Sequence, residues 1–131
     1  MNEKQLKEIA ILAKELGFKP RTLSTQLAFG EFDESESSKV LINDTCYYLL
    51  LCEIQLWLSD VHNLIIVYDP QEIPDSDGNY ENLWHKFKIS TYDGWRGGRR
   101  NTVITDLFEE YQTALATGIL EGLKLIKNEN N

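Results

Sequence analysis

The chain reads as an α+β fold: a small antiparallel sheet of three to four strands packed against two or three helices. Three observations predict it. Apolar residues recur at helical spacing over residues 2–16, 44–61 and from 106 to near the C-terminal end. They alternate over 83–91, shortly after a continuous apolar run at 63–69. The strands follow one another between helices instead of alternating with them, which favours helices on one face of an antiparallel sheet. The 131 residues are read as one domain, 1–131, large enough to bury roughly two thirds of its unfolded surface.

Each element has a local reason. In the first helix Leu6, Ile9, Ala13 and Leu16 share a face, and Gly17 followed by Pro20 ends it. Residues 22–29 fit two patterns, a strand with Leu23, Thr25, Leu27 and Phe29 on one side, or two helical turns. EFDESES, 31–37, reads as a solvated acidic loop. The helix over 44–61 has Asn43, Asp44 or Thr45 as its cap and Leu50, Ile54, Trp57 and Val61 as its stripe, widened by Leu51 and Leu58. So few of its positions are polar that it is either the central core helix or one that buries a second face in a dimer.

NLIIVYD, 63–69, is apolar at both alternating sets and is expected to be an interior strand covered on both sides. PQEIPDSDGNYEN is expected to be a loop. LWHKFKIST, 83–91, is expected to place Leu83, His85, Phe87 and Ile89 on one face and Trp84, Lys86, Lys88 and Ser90 on the other. RRNTVI is a candidate short third strand. The last helix is expected to open at Thr105 and Asp106, with Glu109 completing a capping box. Its buried band runs through Leu107, Tyr111, Ala114, Leu115, Gly118, Ile119, Gly122, Leu123 and Ile126. Each of the two glycines costs about 1 kcal/mol of helix propensity relative to Ala, so the helix is expected to approach its neighbour closely there.

A net charge of −8 argues against a general phosphate-binding surface, which needs clustered cations. Cys46 and Cys52 fall on different faces of one helix, too far around for a disulfide, and fit reduced, packed thiols in a cytoplasmic protein. No secretory leader pattern is recognised, and the apolar run from Tyr47 to Leu58 is too short for a membrane span.

Three segments, LAKELGF, YYLLLCEIQLWLSDVHNLIIVY and FEEYQTALATGILEGLKLI, resemble uncharacterised small proteins encoded in Bacteroidales phages and prophages. Those proteins begin with a LAKEKGF-like helix, continue with an LLQKWLREVHNI-like helix running into a strand, and end in SYEEALEAGLQEALKLI. The central match is carried by Gln55, Trp57, Leu58, His62 and Asn63. The C-terminal match is carried by Glu109, Glu110, Tyr111, Ala114, Leu115, Gly118, Leu120, Gly122, Leu123, Lys124, Leu125 and Ile126. Here the tyrosine follows the glutamate pair instead of preceding it, and the stretches 20–42 and 70–104 have no counterpart in the pattern. The resemblance implies a phage or prophage origin and brings no activity with it.

Four constellations bear on function. LAKELGFKPRTLSTQL, 12–27, has the look of a helix-turn-helix, but only five residues precede residue 6, where a further helix is needed, and the cations are only Lys14, Lys19 and Arg21. The stretch from Trp84 to Arg100 holds Lys86, Lys88, Arg96, Arg99 and Arg100 against Asp93, a local +4 that leaves −12 on the remainder. With Trp84 and Trp95 it forms a candidate nucleic-acid or anion surface, against which stands a solvated hairpin whose cations pair with the acidic body. The order from residue 44 on is also that of a double-stranded-RNA-binding domain, although the last helix of such a domain begins with lysines and this one begins TDLFEE. DSDGNYE lacks the sixth-position Gly and twelfth-position Glu of a calcium loop and is read as a turn. Cys46, Cys52, His62 and His85 have no ligand spacing, so no metal, cofactor or catalytic residue is assigned. His62 is expected to sit favourably against a helix C-terminal dipole, and His85 to be a satisfied core residue. The expectation is a non-enzymatic protein-interaction module with a protein partner, with homodimerisation as an option. The alternative is a nucleic-acid binder using Trp84, Lys86, Lys88, Trp95, Arg96, Arg99 and Arg100.

Overall fold

The computed structural model describes residues 3–30, 44–80, 82–92 and 99–129, the side chains of 44, 82, 99–102 and 129 excepted. Residues 31–37, read from the sequence as an acidic loop, lie outside the described residues. The fold is α+β: helices α1 (Glu3–Glu15), α2 (Leu23–Gly30), α3 (Asp44–His62) and α4 (Tyr111–Glu129), and strands β1 (Leu64–Tyr68), β2 (Gln71–Ile73), β3 (Asn82–Trp84), β4 (Phe87–Tyr92) and β5 (Arg99–Ile104). β1, β4 and β5 form an antiparallel sheet in that order, and β2 pairs with β3.

α1 ends as its sequence predicts. Gly17 takes a φ of +96°. Phe18 N–H then reaches Ala13 O at 2.9 Å and Gly17 N–H reaches Lys14 O at 3.1 Å, the paired bonds of a Schellman cap. Residues 22–29 resolve as helix, and two threonines explain why. Thr25 N–H donates to Thr22 Oγ1 and Thr22 N–H donates to Thr25 Oγ1, both at 3.2 Å. This reciprocal cap satisfies two amides that a strand would need partners for.

α3 ends at Asn63, whose φ of 53° makes it the left-handed terminator. The expected opening of the last helix at Thr105 is overturned. Thr105 instead extends the sheet, accepting Phe87 N–H on its Oγ1 at 2.9 Å and donating its own N–H to Phe87 O. Phe108 pairs with His85 through both backbone bonds. The chain is therefore held extended until Glu110, whose carbonyl accepts the first bond of α4 from Ala114. Leu107 precedes the helix and is only half-buried.

The region expected to be one loop and one strand is a ribbon. β2 and β3 keep the register of β1 and β4, so residues 64–73 run opposite 82–91 throughout. The ladder breaks where Pro70 faces His85, since proline has no N–H to give, and His85 turns its backbone to Phe108 instead. At the tip, Asp75 Oδ1 accepts the N–H groups of Asp77 and Asn79, each at 2.9 Å, and Gly78 takes a φ of +82°. This is a turn, as read.

α3 and α4 lie on one face of the three-stranded sheet, α4 over β4 and β1 and α3 against β1; α1 packs on α4 and α2 on α3. Leu50, Leu51, Ile54 and Leu58 of α3, Leu64 and Ile66 of β1, Phe87 and Ile89 of β4, and Leu115, Ile119 and Leu123 of α4 form the core. The two α4 glycines sit at its closest approach. A Cβ on Gly118 would lie 3.2 Å from Phe87 Cβ, and one on Gly122 would lie 2.9 Å from Leu64 Cδ2.

Two expectations about burial are corrected. Among the described residues β1 pairs with β4 alone and so lies at the sheet edge, not inside it, and Val67 on its outer side is 49 % exposed. Val61 of α3, expected in the core stripe, is 59 % exposed; it lies at the last turn of the helix, at the rim of a cavity.

Candidate binding surface

The basic aromatic strip divides. Trp95 and Arg96 lie outside the described residues, as do the side chains of Arg99 and Arg100, whose backbone belongs to β5. Trp84 ends β3, Lys86 lies between β3 and β4, and Lys88 lies in β4, in one continuous ribbon register. Lys86 Nζ lies 3.7 Å from Asp69 Oδ2, and its side chain is only 16 % exposed. Lys88 stands half-buried between Val67 and Ile104 in the outward row of the sheet. The described cations of the strip are thus distributed, one to a local carboxylate and one among apolar neighbours.

The two helices of the helix-turn-helix candidate pack on different partners, α1 on α4 and α2 on α3. α2 carries no charged residue, so its exposed side has no cation to place on a phosphate. Lys19 and Arg21 precede it and line a cavity instead. The start of α4 is preceded by exposed Glu109 and Glu110, not by lysines.

Two concavities flank α3. The first, about 180 Å³, is lined by Phe18, Lys19, Arg21, Glu53, Leu56, Trp57, Asp60 and Val61. Phe18 and Trp57 meet edge to face at 5.4 Å, and His62 meets Trp57 the same way at 4.8 Å. Glu53 Oε1 accepts Arg21 N–H at 3.2 Å, while Glu53 Oε2 is buried and makes no hydrogen bond among the described residues. The second, about 350 Å³, lies where α3 passes the β1 edge and is lined by Cys52, Gln55, Leu56, Ser59, Ile65 and Ile66. Gln55 Nε2 donates to Ile66 O at 3.2 Å across it. Leu56 borders both and is 56 % exposed.

The titratable groups are set for packing more than for chemistry. Burial pushes the Cys52 thiol up, so it stays protonated at neutral pH and is a poor nucleophile. Tyr48 is pushed up to about 12, chiefly by Cys52 beside it, then by burial and by Tyr111. Burial pushes His62 down. Desolvation there outweighs the helix dipole that the sequence suggested would favour its charged form. Tyr68, pushed up by burial and then Tyr111, keeps its proton and hydrogen-bonds to His85 Nδ1. The two rings stack at 5.7 Å and Tyr111 meets both edge-on. His85 is therefore hydrogen-bonded as expected, but half-buried instead of in the core. Among the described residues no group of three His, Cys, Asp or Glu is placed to hold a metal, and no helix is long and apolar enough to cross a membrane.

The Tyr68–His85–Tyr111 cluster and both α3 concavities escape sequence reasoning, because they depend on which helix lies beside which strand. The one local signal was Pro70, which marks the ladder break that frees His85. No protein-family model, curated protein or solved structure matches the chain.

Proposed function

We propose that the protein is a non-enzymatic protein-interaction module of the phage or prophage type, acting in the cytoplasm. The observation that supports this reading is an apolar outer surface that no described helix covers. Ile65 and Val67 of β1 and Ile104 of β5 point away from the helices, Val67 49 % and Ile104 55 % exposed, with Lys88 between them. Leu49 and Leu56 continue the uncovered apolar character on α3. Apolar residues grouped in this way mark interaction surfaces more often than solvated ones.

The test is affinity capture from a Bacteroidales lysate with the wild type and a Val67→Lys/Ile104→Lys variant, beside a molar-mass measurement in solution. A protein retained by the wild type and lost by an equally stable variant supports the reading. A concentration-independent monomer that retains nothing refutes it. Fluorescence anisotropy with short DNA and RNA at low salt tests the nucleic-acid alternative. Salt-sensitive binding that an Arg96→Ala/Arg99→Ala/Arg100→Ala variant loses would establish that alternative instead.

A further inference from the structure

The 180 Å³ cavity beside α3 carries both signs of charge around an apolar floor. Glu53, Leu56, Trp57 and Asp60 recur at helical spacing and form one face of α3. Lys19 and Arg21 come from the segment between α1 and α2, which lies against that face. The segment is tied at both ends. Phe18 N–H closes the α1 cap on Ala13 O, and Arg21 N–H donates to Glu53 Oε1. Phe18 is buried and stands edge to face against both Phe29 and Trp57, and His62 backs Trp57. The walls are therefore preformed, as is usual for small-molecule sites. Their charges are not spent on one another. Arg21 gives Glu53 its backbone amide, and among the described residues Lys19, Arg21 and Asp60 enter no ion pair. Glu53 Oε2 is buried with no hydrogen bond among the described residues, whereas buried carboxylate oxygens normally have a donor.

We propose that this cavity binds a free α-amino acid with an apolar side chain. A ligand of one charge meets a like-charged wall whichever way it lies, whereas a zwitterion complements both walls. The ammonium goes to Glu53. Its Oε2 is covered as it stands, and turning the carboxylate about its soft terminal torsion presents that oxygen. The carboxylate of the ligand goes to Arg21 and Lys19, whose exposed side chains are long enough to close over it and bind it by charge-assisted hydrogen bonds. The apolar side chain lies on Phe18, Trp57, Leu56 and Val61. The size agrees, since a dry cavity of about 150 Å³ already holds benzene. Asp60 stands two turns of α3 beyond Glu53, about 10 Å along the axis, and selects against an acidic side chain. The site is separate from the uncovered sheet face and does not depend on what binds there.

The experiment titrates the full chain with L-leucine, L-isoleucine, L-methionine and L-phenylalanine at low salt. It follows the indole N–H signals of the three tryptophans by NMR, with Trp57→Phe identifying the signal of Trp57. At least one probe is expected to bind saturably with a Kd of about 1 mM or below and to move the Trp57 signal more than those of Trp84 and Trp95. The deamino and decarboxy analogues of that probe each lack one charge and are expected to bind about tenfold more weakly or worse, with no change to the protein. L-Glutamate is expected to bind more weakly than the apolar probes. The Lys19→Gln/Arg21→Gln variant, altered only at exposed side chains, is expected to lose about tenfold in affinity at unchanged melting temperature. The assignment is overturned if no probe binds saturably, if another tryptophan responds in place of Trp57, or if the singly charged analogues bind as tightly as the parent. Undiminished binding by the double variant overturns it as well. None of these outcomes involves a protein partner, so the interaction-module reading stands or falls by its own test.

Discussion

Both faces of one three-stranded sheet carry β-branched apolar residues, and these differ in burial. On the inner face Leu64, Ile66, Phe87 and Ile89 are buried beneath α3 and α4. On the outer face Ile65, Val67 and Ile104 are half-buried or exposed. The apolar residues themselves are alike; the helices placed above the inner face make the difference. The difference predicts where substitutions are felt. Ile89→Ala removes buried atoms from a packed site and is expected to cost about 2–5 kcal/mol, read as a lower urea midpoint at unchanged slope. A loss below about 1 kcal/mol would mean the inner face is no better packed than the outer.

The next effect probes the contact that makes the inner face dry. Gly122 lets α4 come down on Leu64, and a Cβ there would sit 2.9 Å from Leu64 Cδ2. Gly122→Ala gains about 1 kcal/mol of helix propensity but forces a buried leucine to shift, and overpacking typically costs about 1–3 kcal/mol. The expected balance is a net loss of about 1 kcal/mol by urea titration. A clear gain in stability would show that α4 can lift without cost. The paired substitution Gly122→Ala/Leu64→Val is expected to recover part of the loss, which ties the effect to that one contact.

Much of this architecture is legible in the sequence because the signals are local and periodic. Gly17, the α3 stripe as far as Leu58 and the Ala114, Gly118 and Gly122 row each announce one geometry that is found, while Val61 leaves the stripe. The misread parts turn on partners distant in sequence. Alternation within residues 22–29 fits a strand as well as a helix, and the deciding signal was Thr22 with Thr25. LIIVY reads as interior because both its faces are apolar, yet among the described residues it lies at an edge, with Val67 of its outer face 49 % exposed. Thr105 and Asp106 look like a helix cap, but Thr105 is claimed by Phe87 through the sheet. Of the candidate strip, Lys86 is spent on Asp69, a pairing that the ribbon register sets and the sequence does not state.

A weaker effect, readable by pH, belongs to His62. Burial holds His62 below its ordinary value of 6.5. The fold therefore favours its neutral form, and this contribution is complete above about 6.5 and lost as pH falls through the lowered folded value. Wild type is expected to lose stability between pH 7 and pH 5, and His62→Gln is expected to flatten that slope. A slope of equal size in the variant would assign the loss to carboxylates instead.

The smallest effect is expected on the outer face, and it is the one that separates function from folding. Val67→Ser and Ile104→Ser each remove apolar surface already half in water. Surface substitutions away from packed features usually change stability by less than about 0.5 kcal/mol, so the melting transition should barely move. If either variant destabilises the protein as much as Gly122→Ala, that face is covered in solution and the surface is structural. If both are silent in melting but lower the retention of a bound protein, the uncovered apolar row is kept for a partner. The two faces then differ in what covers them: the chain's own helices on one side, another protein on the other.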